Sequence, residues 1–574
     1  MSTVTSSAID QRRAATGDRR WLVLVVVAIA QLMVVLDATI VNIALPSAQR
    51  ALGFANGDRQ WVVTAYALAF GSLLLVGGRL GDMFNRKWVF ITGLVGFAVA
   101  SAIGGAAGSF AILVAARALQ GGFAALLAPS ALGTLVSTFR DPRERGKAFG
   151  VFGSVAAGGG GIGLILGGVL TQYLSWRYCL YVNLLFAAIA SAGALAYIGG
   201  GRPADRPRMD WPGTVLACAG LFLIVFGFSR AETAGWTDPL TLGSLVLGPV
   251  LLAGFVLAER RSSHPLLPLR VVVDRTRGGS YVALFISGIA IFGTFLFLTF
   301  YLQLIKGESP LTTGLLFLPM IGCILISSNL ASTLLLPRLG PRVLIAAGML
   351  LGTGGMVYLT QVSVTSSYVG GVLPALLILG LGFGMIFAPG INAATAGVRR
   401  EDSGIAAALV NTVQQVGGSI GTSALSTIAL TATANYLVAH HASPLAPAIA
   451  ATRGYTLAFA ISAALLGIGF ILAIVLLPSK RRAAELSAAA TAAAARTAPE
   501  PAPAPAPPVP IPIAAPAPPA PIPTAAAARA SEPGFEAIPV ALCSCSPVVI
   551  RAPGSTATGV ADSNARDVSR TTVQ

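Results

Sequence analysis

Long runs of apolar residues alternate with short polar segments along most of the chain. Fourteen runs each come close to the about 20 residues needed to cross roughly 30 Å of bilayer hydrocarbon. Runs of this length predict α-helices, because transmembrane β-strands would be about 10 residues long with alternating polarity. The predicted helices span residues 22–45, 60–80, 88–108, 110–135, 148–170, 179–199, 212–229, 240–258, 281–303, 313–336, 342–360, 369–390, 404–430 and 455–477. The pattern therefore predicts an all-α polytopic membrane protein.

Composition supports the same class. Charged residues make up 10% of the 574 residues, against about 25% in a typical globular protein. Hydrophobic residues make up 55%, and the mean hydropathy is +0.77. The net charge of +16 is compatible with nucleic-acid binding in principle, but the basic residues lie almost entirely in short loops between apolar runs. We therefore expect no nucleic-acid partner.

The distribution of Lys and Arg predicts the orientation. With the N-terminus placed in the cytoplasm, the cytoplasmic segments hold 26 of these residues. The opposite side holds six, namely Arg50, Arg59, Arg177, Arg230, Lys306 and Arg453. Cytoplasmic loops of membrane proteins carry such an excess. We expect a multi-pass protein of the cell membrane with both termini in the cytoplasm.

The end of the chain differs from the rest. Residues 499–523 contain 13 prolines in 25 positions, a composition that favours extended polyproline II and has nothing to bury. The sequence predicts a disordered cytoplasmic tail, which is either a docking segment for an unknown partner or a tolerated extension. The predicted domains are an N-terminus, a first bundle, an insertion, a second bundle and this tail, at residues 1–21, 22–199, 200–280, 281–478 and 479–574.

Few residues suit a metal or a cofactor. The chain has five Cys and three His, in no cluster with metal-ligand spacing. No GxxxxGK[ST] run is present to bind ATP. We therefore expect no cofactor, no metal site and no enzymatic bond chemistry.

One acidic and one basic residue lie well inside predicted helices. They are Asp37 in the first helix and Arg117 in the fourth, and Gln120 shares the helix face of Arg117. A charge inside a membrane is costly, so it indicates a functional role. Asp37 could carry a proton or face a cationic substrate. The alternative is a structural ion pair, or a carboxylate held by Thr39 and Asn42.

The loop after the second helix reads GGRLGDMFNRK and holds the predicted gating residues Gly78, Asp82, Arg86 and Lys87. Gly78, which has no side chain, would allow two helix ends to approach closely. The Asp82 carboxylate could cap the helix that begins near Ser403, where the helix dipole favours an anion. Arg86 could pair with Asp141 or Glu144. The alternative is ordinary loop charge.

These motifs resemble the major facilitator superfamily. GRLGDMFNRK is similar to its cytoplasmic loop signature, and LDATIVNIALP resembles the first-helix signature of its fourteen-helix drug:proton antiporter branch. LVAARALQGGFAA, SWRYCLYVN, FYLQLIKGESPLTTGLLFLP and GIAAALVNTVQQVGGSIG follow in the order of that branch. The resemblance covers about residues 20–478.

The resemblance implies two six-helix bundles with two helices inserted between them, and a substrate site near the bilayer midplane reached by alternating access. It also implies that Asp37 and Arg117 take part in proton coupling, and that Gly78, Asp82 and Arg86 control conformational change.

Two departures from the family pattern stand out. Asn85 replaces the glycine of the loop signature, and an Asn tolerates left-handed backbone geometry. The fifth helix reads GGGGIGLILGGVL, with Gly163 and Leu164 where the antiporters have Gly-Pro. The packing glycines, Gly163, Gly167 and Gly168, remain. The family associates the missing proline with antiport, so the direction of transport stays open.

The expected function is proton-driven export of amphipathic small molecules such as drugs, antibiotics or secondary metabolites. Two alternatives remain, a proton-coupled importer of the same fold and a membrane scaffold that acts through its tail. Candidate polar residues of the substrate pocket are Gln60, Tyr66, Gln303, Asn411, Gln414 and Gln415. The expected partners are a small-molecule substrate, protons and the lipid bilayer.

Overall fold

The structure, a computed structural model, describes residues 3–139, 141–199, 210–262, 265–398, 402–439 and 445–479. These residues form helices joined by short loops, without a β-strand among them. The long helices, α1 to α14 in chain order, are Thr3–Leu52, Arg59–Met83, Arg86–Gly105, Phe110–Thr138, Pro142–Tyr173, Tyr178–Tyr197, Trp211–Ala234, Pro239–Arg261, Arg275–Phe300, Pro310–Leu330, Pro341–Leu359, Leu373–Thr395, Ser403–Ala439 and Ala446–Leu476. The predicted all-α architecture with fourteen long helices is confirmed, whereas the predicted tail from residue 480 onward lies outside the described residues.

Short elements complete the helices. Separate helical turns lie at Leu269–Val273 and Leu336–Leu339. Single π-helical turns extend α9 at Tyr301–Ile305, follow α10 at Ala331–Leu335 and precede α12 at Tyr368–Val372. Such turns insert one extra residue into a helix and re-aim the side chains beyond it.

Thirteen helices of the described ranges are long and apolar enough to cross a membrane. α13, at Ser403–Ala439, is not among them. Its sequence is rich in Ser, Thr, Asn and Gln, and it packs against α2, α7, α9 and α14. Because protein covers α13 on several sides, it needs fewer lipid-compatible side chains than an outer helix.

Several helices extend beyond their apolar runs. α1 begins at Thr3 and continues to Leu52 with Pro46 inside it, although the apolar run predicted residues 22–45. α13 ends at Ala439 and α14 begins at Ala446, both several residues beyond the predicted limits. Hydropathy detects only the part of a helix that suits hydrocarbon, while backbone hydrogen bonding carries the helix further into the polar region.

The two sets of six helices pack in the same way. In the first set, α2 packs on α4, α3 on α4 and α6, and α1 on α5 and α6. In the second, α10 packs on α12, α11 on α12 and α14, and α9 on α13 and α14. The halves meet through α2 on α13 and α5 on α10, two equivalent interfaces. The fold is therefore an internal repeat with approximate two-fold symmetry, a pattern seen in transporters.

Each interface between the halves carries polar contacts. The Thr64 and Thr422 hydroxyls lie 2.9 Å apart between α2 and α13. The Leu311 amide of α10 donates to Gln172 Oε1 of α5 at 3.3 Å.

The end of the bundle that carries the α1–α2 loop is named the Asn56 end, and the end that carries the α2–α3 loop is named the Phe84 end.

The inserted pair α7 and α8 lies beside the α2–α13 interface. Gln60 Nε2 of α2 donates to Ser229 Oγ of α7 at 3.4 Å. Thr427 Oγ1 of α13 donates to the Phe228 carbonyl of α7 at 2.8 Å. α7 therefore contacts both halves, while α8 packs chiefly on α7.

Candidate functional site

A buried ion pair joins α1 and α4. Arg117 Nη1 lies 2.6 Å from Asp37 Oδ2, and both side chains are 2% exposed or less. Each charge is far from solvent, so each depends on the other for stabilisation. The structure thus brings together the two charged residues that the apolar runs of the sequence had singled out.

Two amides complete the shell of the Asp37 carboxylate. Gln120 Nε2 and Asn183 Nδ2 both donate to Asp37 Oδ1, at 3.0 Å and 2.8 Å. Gln120 Nε2 also lies 2.7 Å from Ser101 Oγ of α3. The carboxylate therefore receives donors from three side chains on α4 and α6. All three are buried, and so is Ser101.

Asn183 and Ser101 are site residues that were not expected from the sequence. Asn183 ends the quoted SWRYCLYVN motif and is a lone amide within the apolar run of α6. A polar side chain with no nearby polar residue on its own helix is a signal for a partner on another helix. Ser101 carries no comparable signal, because serines are frequent in membrane helices and bond to their own backbone.

Arg117 also binds α2. Its Nε donates to the Val62 carbonyl at 3.0 Å, and its guanidinium carbon lies 4.4 Å from the centre of the Tyr66 ring. The Tyr66 hydroxyl and Asn183 Oδ1 are buried and have no hydrogen-bond partner among the described residues. An unsatisfied buried polar atom is costly, and these two atoms give the site spare capacity for water or a polar ligand group.

The other pocket candidates lie apart from the ion pair. Gln303 Nε2 of the π turn donates to the Ile43 carbonyl of α1 at 3.1 Å, across the two halves. Asn411 Nδ2 donates to the Ala407 carbonyl of its own helix at 3.4 Å. Gln414 and Gln415 lie where α13 approaches α9 and α2, as their backbone and Cβ atoms stand close to Gly288 and Gly71. The six candidates do not form one cluster in this conformation.

Most of the expected loop after the second helix is helical, because α2 continues to Met83 and α3 begins at Arg86. The tight helix approach is at Gly77, where an added Cβ would stand 1.9 Å from the Ala125 carbonyl oxygen. At Gly78 the nearest atom to such a Cβ is Pro129 Cβ at 3.7 Å, an ordinary contact. The expected close approach at Gly78 is therefore wrong by one residue, because Gly77 faces α4 directly.

Asn85 does not adopt a left-handed conformation. Its φ of −69° and ψ of 116° are extended, and its side chain accepts a hydrogen bond from the Lys87 amide as the N-cap of α3. The turn therefore does not use the left-handed geometry that an Asn tolerates. Asn is a favoured N-cap residue, and Asn85 acts as the N-cap of α3.

The two basic residues at the start of α3 bind backbone carbonyls. Arg86 Nη1 donates to the Gly133 carbonyl of α4 at 3.2 Å, and Lys87 Nζ donates to the Leu195 carbonyl near the end of α6 at 2.8 Å. Glu144, an expected partner of Arg86, instead lies 2.6 Å from Arg20. The side chain of Asp82, with its expected capping role, lies outside the described residues.

Glycines of α5 allow two helices to approach closely. An added Cβ at Gly163 would stand 1.9 Å from Thr39 Oγ1 of α1, and one at Gly167 would lie 3.1 Å from Ile40 Cα. At Gly168 it would stand 2.6 Å from Leu311 Cα of α10. α5 runs unbroken from Pro142 to Tyr173. Gly163 and Gly167 bring it close to α1, and Gly168 brings it close to α10 of the second half.

Comparison with known proteins assigns the family. The model of the Major Facilitator Superfamily matches residues 27–422, a range that includes Asp37, Arg117, Gln120 and Asn183. The chain belongs to the Major Facilitator Superfamily.

Several relatives of this transporter have names that refer to antibiotic resistance or export. Puromycin resistance protein pur8 of Streptomyces alboniger is 48% identical over 474 residues, covering 82% of this chain and 94% of that protein. Cephamycin export protein CmcT of Amycolatopsis lactamdurans is 37% identical, covering 71% and 84%. The tetracenomycin C resistance and export protein of Streptomyces glaucescens is 33% identical, covering 71% and 76%.

Solved structures of the superfamily share the fold. A bacterial homologue of the human lysosomal transporter Spinster, in an inward-facing and unoccupied conformation, aligns with a TM-score of 0.55 and 14% identity. The alignment covers 80% of this chain and 97% of that one. At this identity the likeness concerns the fold alone.

Proposed function

We propose that this protein exports amphipathic small molecules across the cell membrane in exchange for protons. The single observation that carries the coupling is the buried Asp37–Arg117 pair with its amide shell. The direction and the substrate class rest on relatives that are named for antibiotic resistance and export.

Puromycin is the first substrate to test, because the relative at 48% identity is named for resistance to it. Puromycin is also amphipathic, and the sequence predicts amphipathic substrates. The relatives argue against import, since three of them are named for export or resistance. An α5 with Gly-Leu in place of the family's Gly-Pro is therefore proposed to be compatible with export.

Protonation of Asp37 would drive the cycle by weakening one contact. With a charged carboxylate, Arg117 holds α1 and α4 together at 2.6 Å. A proton on Asp37 neutralises it, and the guanidinium then loses most of its electrostatic attraction. Arg117 keeps its bond to the Val62 carbonyl, so the change loosens α1 relative to α2 and α4.

Movement of α1 would reach the second half through Gln303. Its amide contacts the Ile43 carbonyl, about one and a half turns beyond Asp37 on the same helix. We propose that this contact breaks as the Asn56 end opens. Gln60 and Tyr66 on α2, and Asn411, Gln414 and Gln415 on α13, would then line the substrate path between the halves.

The Phe84 end would face the cytoplasm, together with both termini. The excess of Lys and Arg in the loops of this end supports the orientation. Arg86 and Lys87 at the start of α3, bound to carbonyls of α4 and α6, would hold the α2–α3 connection in place at that surface. Gly78 and Asp82, near the end of α2, would belong to the same gate.

Flux in proteoliposomes tests this function. Purified protein is reconstituted, a pH gradient is imposed, and radiolabelled puromycin is followed. We expect uphill accumulation in the compartment from which protons leave, and its collapse when a protonophore is added. Puromycin movement that ignores the gradient would contradict proton coupling.

A cell assay tests the direction independently. Production of the protein in a strain without its own pumps should raise tolerance to puromycin and lower its intracellular level. Increased intracellular puromycin would instead support the importer alternative.

A further inference from the structure

A cavity lies at the Asn56 end, and neither Asp37 nor Arg117 lines it. Its volume is about 340 Å³, and it opens between the start of α2, the end of α9, and the facing ends of α13 and α14. This volume falls at the lower end of the range of small-molecule sites, about 300–1,000 Å³. None of the six pocket candidates from the sequence lines it.

Aromatic rings form one wall of this cavity. Phe297 and Tyr455 stand with ring centres 5.9 Å apart, and both are buried. Phe300, 2% exposed, adds a third ring. Thr433 and Ala448 also line the cavity.

Arg59 supplies the charge of the cavity. Its guanidinium carbon lies 4.2 Å from the centre of the Phe300 ring, and it donates to Asn56 Oδ1. The Tyr455 side chain interacts with the same guanidinium. Among the described residues that line the cavity, Arg59 alone carries a charge.

We propose that this cavity is a binding site for an aromatic small molecule that carries an anionic or strongly hydrogen-bond-accepting group. The rings of Phe297 and Tyr455 would contact the aromatic part, and Arg59 would face the polar group. An aromatic cation is disfavoured, because its charge would lie next to the guanidinium.

One turn of α2 links the cavity to the Asp37–Arg117 ion pair. Arg59 precedes Val62 by three residues, about one helical turn, and the Val62 carbonyl accepts a hydrogen bond from Arg117. Thus one short segment of α2 contacts both the cavity and the ion pair. The proposed binding at this cavity does not depend on the proposed export.

Protection of a reporter cysteine tests binding without transport. The five native cysteines, at positions 179, 218, 323, 543 and 545, are replaced by Ala. Ala448→Cys then places a thiol in the cavity, and its reaction with neutral N-ethylmaleimide is timed in phosphatidylcholine nanodiscs. Naphthalene sulfonate and naphthyl trimethylammonium serve as probes with the same ring and opposite charge.

We expect naphthalene sulfonate to slow labelling at a concentration about fivefold lower than the cationic probe, a ratio typical of one partly exposed charge interaction. Arg59→Gln should remove this preference. Arg453→Gln is the matched control, because Arg453 stacks on Tyr436 at 4.6 Å at the same end but does not line the cavity. A thiol at Ala106, exposed at the Asn56 end outside the cavity, should label equally fast with either probe.

Two results would overturn the proposed site. One is equal protection by both probes in the protein that retains Arg59, which does not depend on any Arg59 variant folding. The other is protection by anionic phosphatidylglycerol nanodiscs with no further effect of the sulfonate, which would assign the cavity to a lipid headgroup. If transport of puromycin fails but the charge preference persists, the export proposal fails and the binding site stands.

Discussion

The carboxylate of Asp37 joins three helices, α1, α4 and α6. It receives donors from Arg117 and Gln120 on α4 and from Asn183 on α6. A buried charge with three donors is well satisfied, whereas the same charge with one donor fewer is not. The geometry thus makes the network sensitive to every member.

Asp37→Asn should fold and insert but lose uphill transport driven by a pH gradient. The amide keeps the size of the side chain, yet it neither titrates nor balances the charge of Arg117. Flux of puromycin in proteoliposomes with and without the gradient measures the effect, and exchange of puromycin at equal pH should persist. Undiminished accumulation by the Asn variant would show that Asp37 is not the coupling residue.

Asp238→Asn is the matched control for that substitution. Asp238 lies in the α7–α8 loop outside the spans and is bonded by Arg230 at 2.8 Å. That hydrogen bond, the largest cause, lowers the pKa of the Asp238 carboxyl below its usual value, so the group remains charged near neutral pH and loses its charge only on acidification. Asn also caps helices well, and transport coupling should be unchanged.

Asn183→Leu should weaken both stability and coupling. The substitution keeps the number and branching of the side-chain heavy atoms and suits an apolar helix, but it removes one donor from a buried carboxylate. Loss of a hydrogen bond to a charged group costs about 1.5–3 kcal/mol. The unfolding midpoint in detergent and the pH-driven flux should both fall.

Asn329→Leu provides the comparison for Asn183. Asn329 Nδ2 donates to the Leu325 carbonyl of its own helix at 2.9 Å, and the bond is exposed. The midpoint of this variant should stay close to that of the unaltered protein. Equal shifts for the two variants would contradict the special role of Asn183.

At the scale of the helix, contact between α2 and α4 depends on positions without side chains. An added Cβ at Gly121 of α4 would stand 2.2 Å from the Tyr66 carbonyl oxygen, and Gly77 of α2 is equally close to Ala125. Close backbone approach of this kind is the main means of packing helices within a membrane. Two glycines, one from each helix, therefore set the spacing that places Arg117 beside Tyr66.

Gly77→Ala and Gly78→Ala form a matched pair on adjacent residues. The first would force a methyl group into the backbone of α4, at an overpacking cost of about 1–3 kcal/mol or more. The second meets only an ordinary contact at 3.7 Å. Yield and unfolding midpoint should fall for Gly77→Ala alone, and a larger loss for Gly78→Ala would contradict the described approach of the helices.

At the scale of the whole molecule, the repeat explains how small local changes reach both halves. α2 and α5 of the first half pair with α13 and α10 of the second. α7 also contacts α2 and α13 through Gln60 and Thr427. Rocking of one half against the other would therefore slide along glycine-rich and hydroxyl-rich surfaces rather than separate interlocked side chains.

Single cysteines test the proposed orientation. Asn56→Cys and Thr365→Cys, both exposed at the Asn56 end, should react with a membrane-impermeant maleimide added to intact cells. Leu339→Cys, exposed at the Phe84 end, should react only after the cells are opened. Labelling of Leu339→Cys in intact cells would reverse or break the proposed topology.

The sequence by itself determined the class of fold and the two central charges. Apolar length encodes each helix, because lipid forces every backbone group to bond within its own segment. The charges at Asp37 and Arg117 were visible because any charge in such a run is costly. These signals are local in the chain, and one helix at a time is enough to detect them.

Tertiary structure alone decided which residues meet. The convergence of Asn183 and Ser101 on the ion pair, the close approach at Gly77 rather than Gly78, and the cavity beside Arg59 all depend on how helices distant in sequence rotate and pack. Adjacent glycines look alike in a sequence, and a shift of one residue turns a side chain by about 100° around a helix. Such a rotation is fixed by contacts between helices, because the apolar pattern of a membrane helix is too uniform to define one buried face.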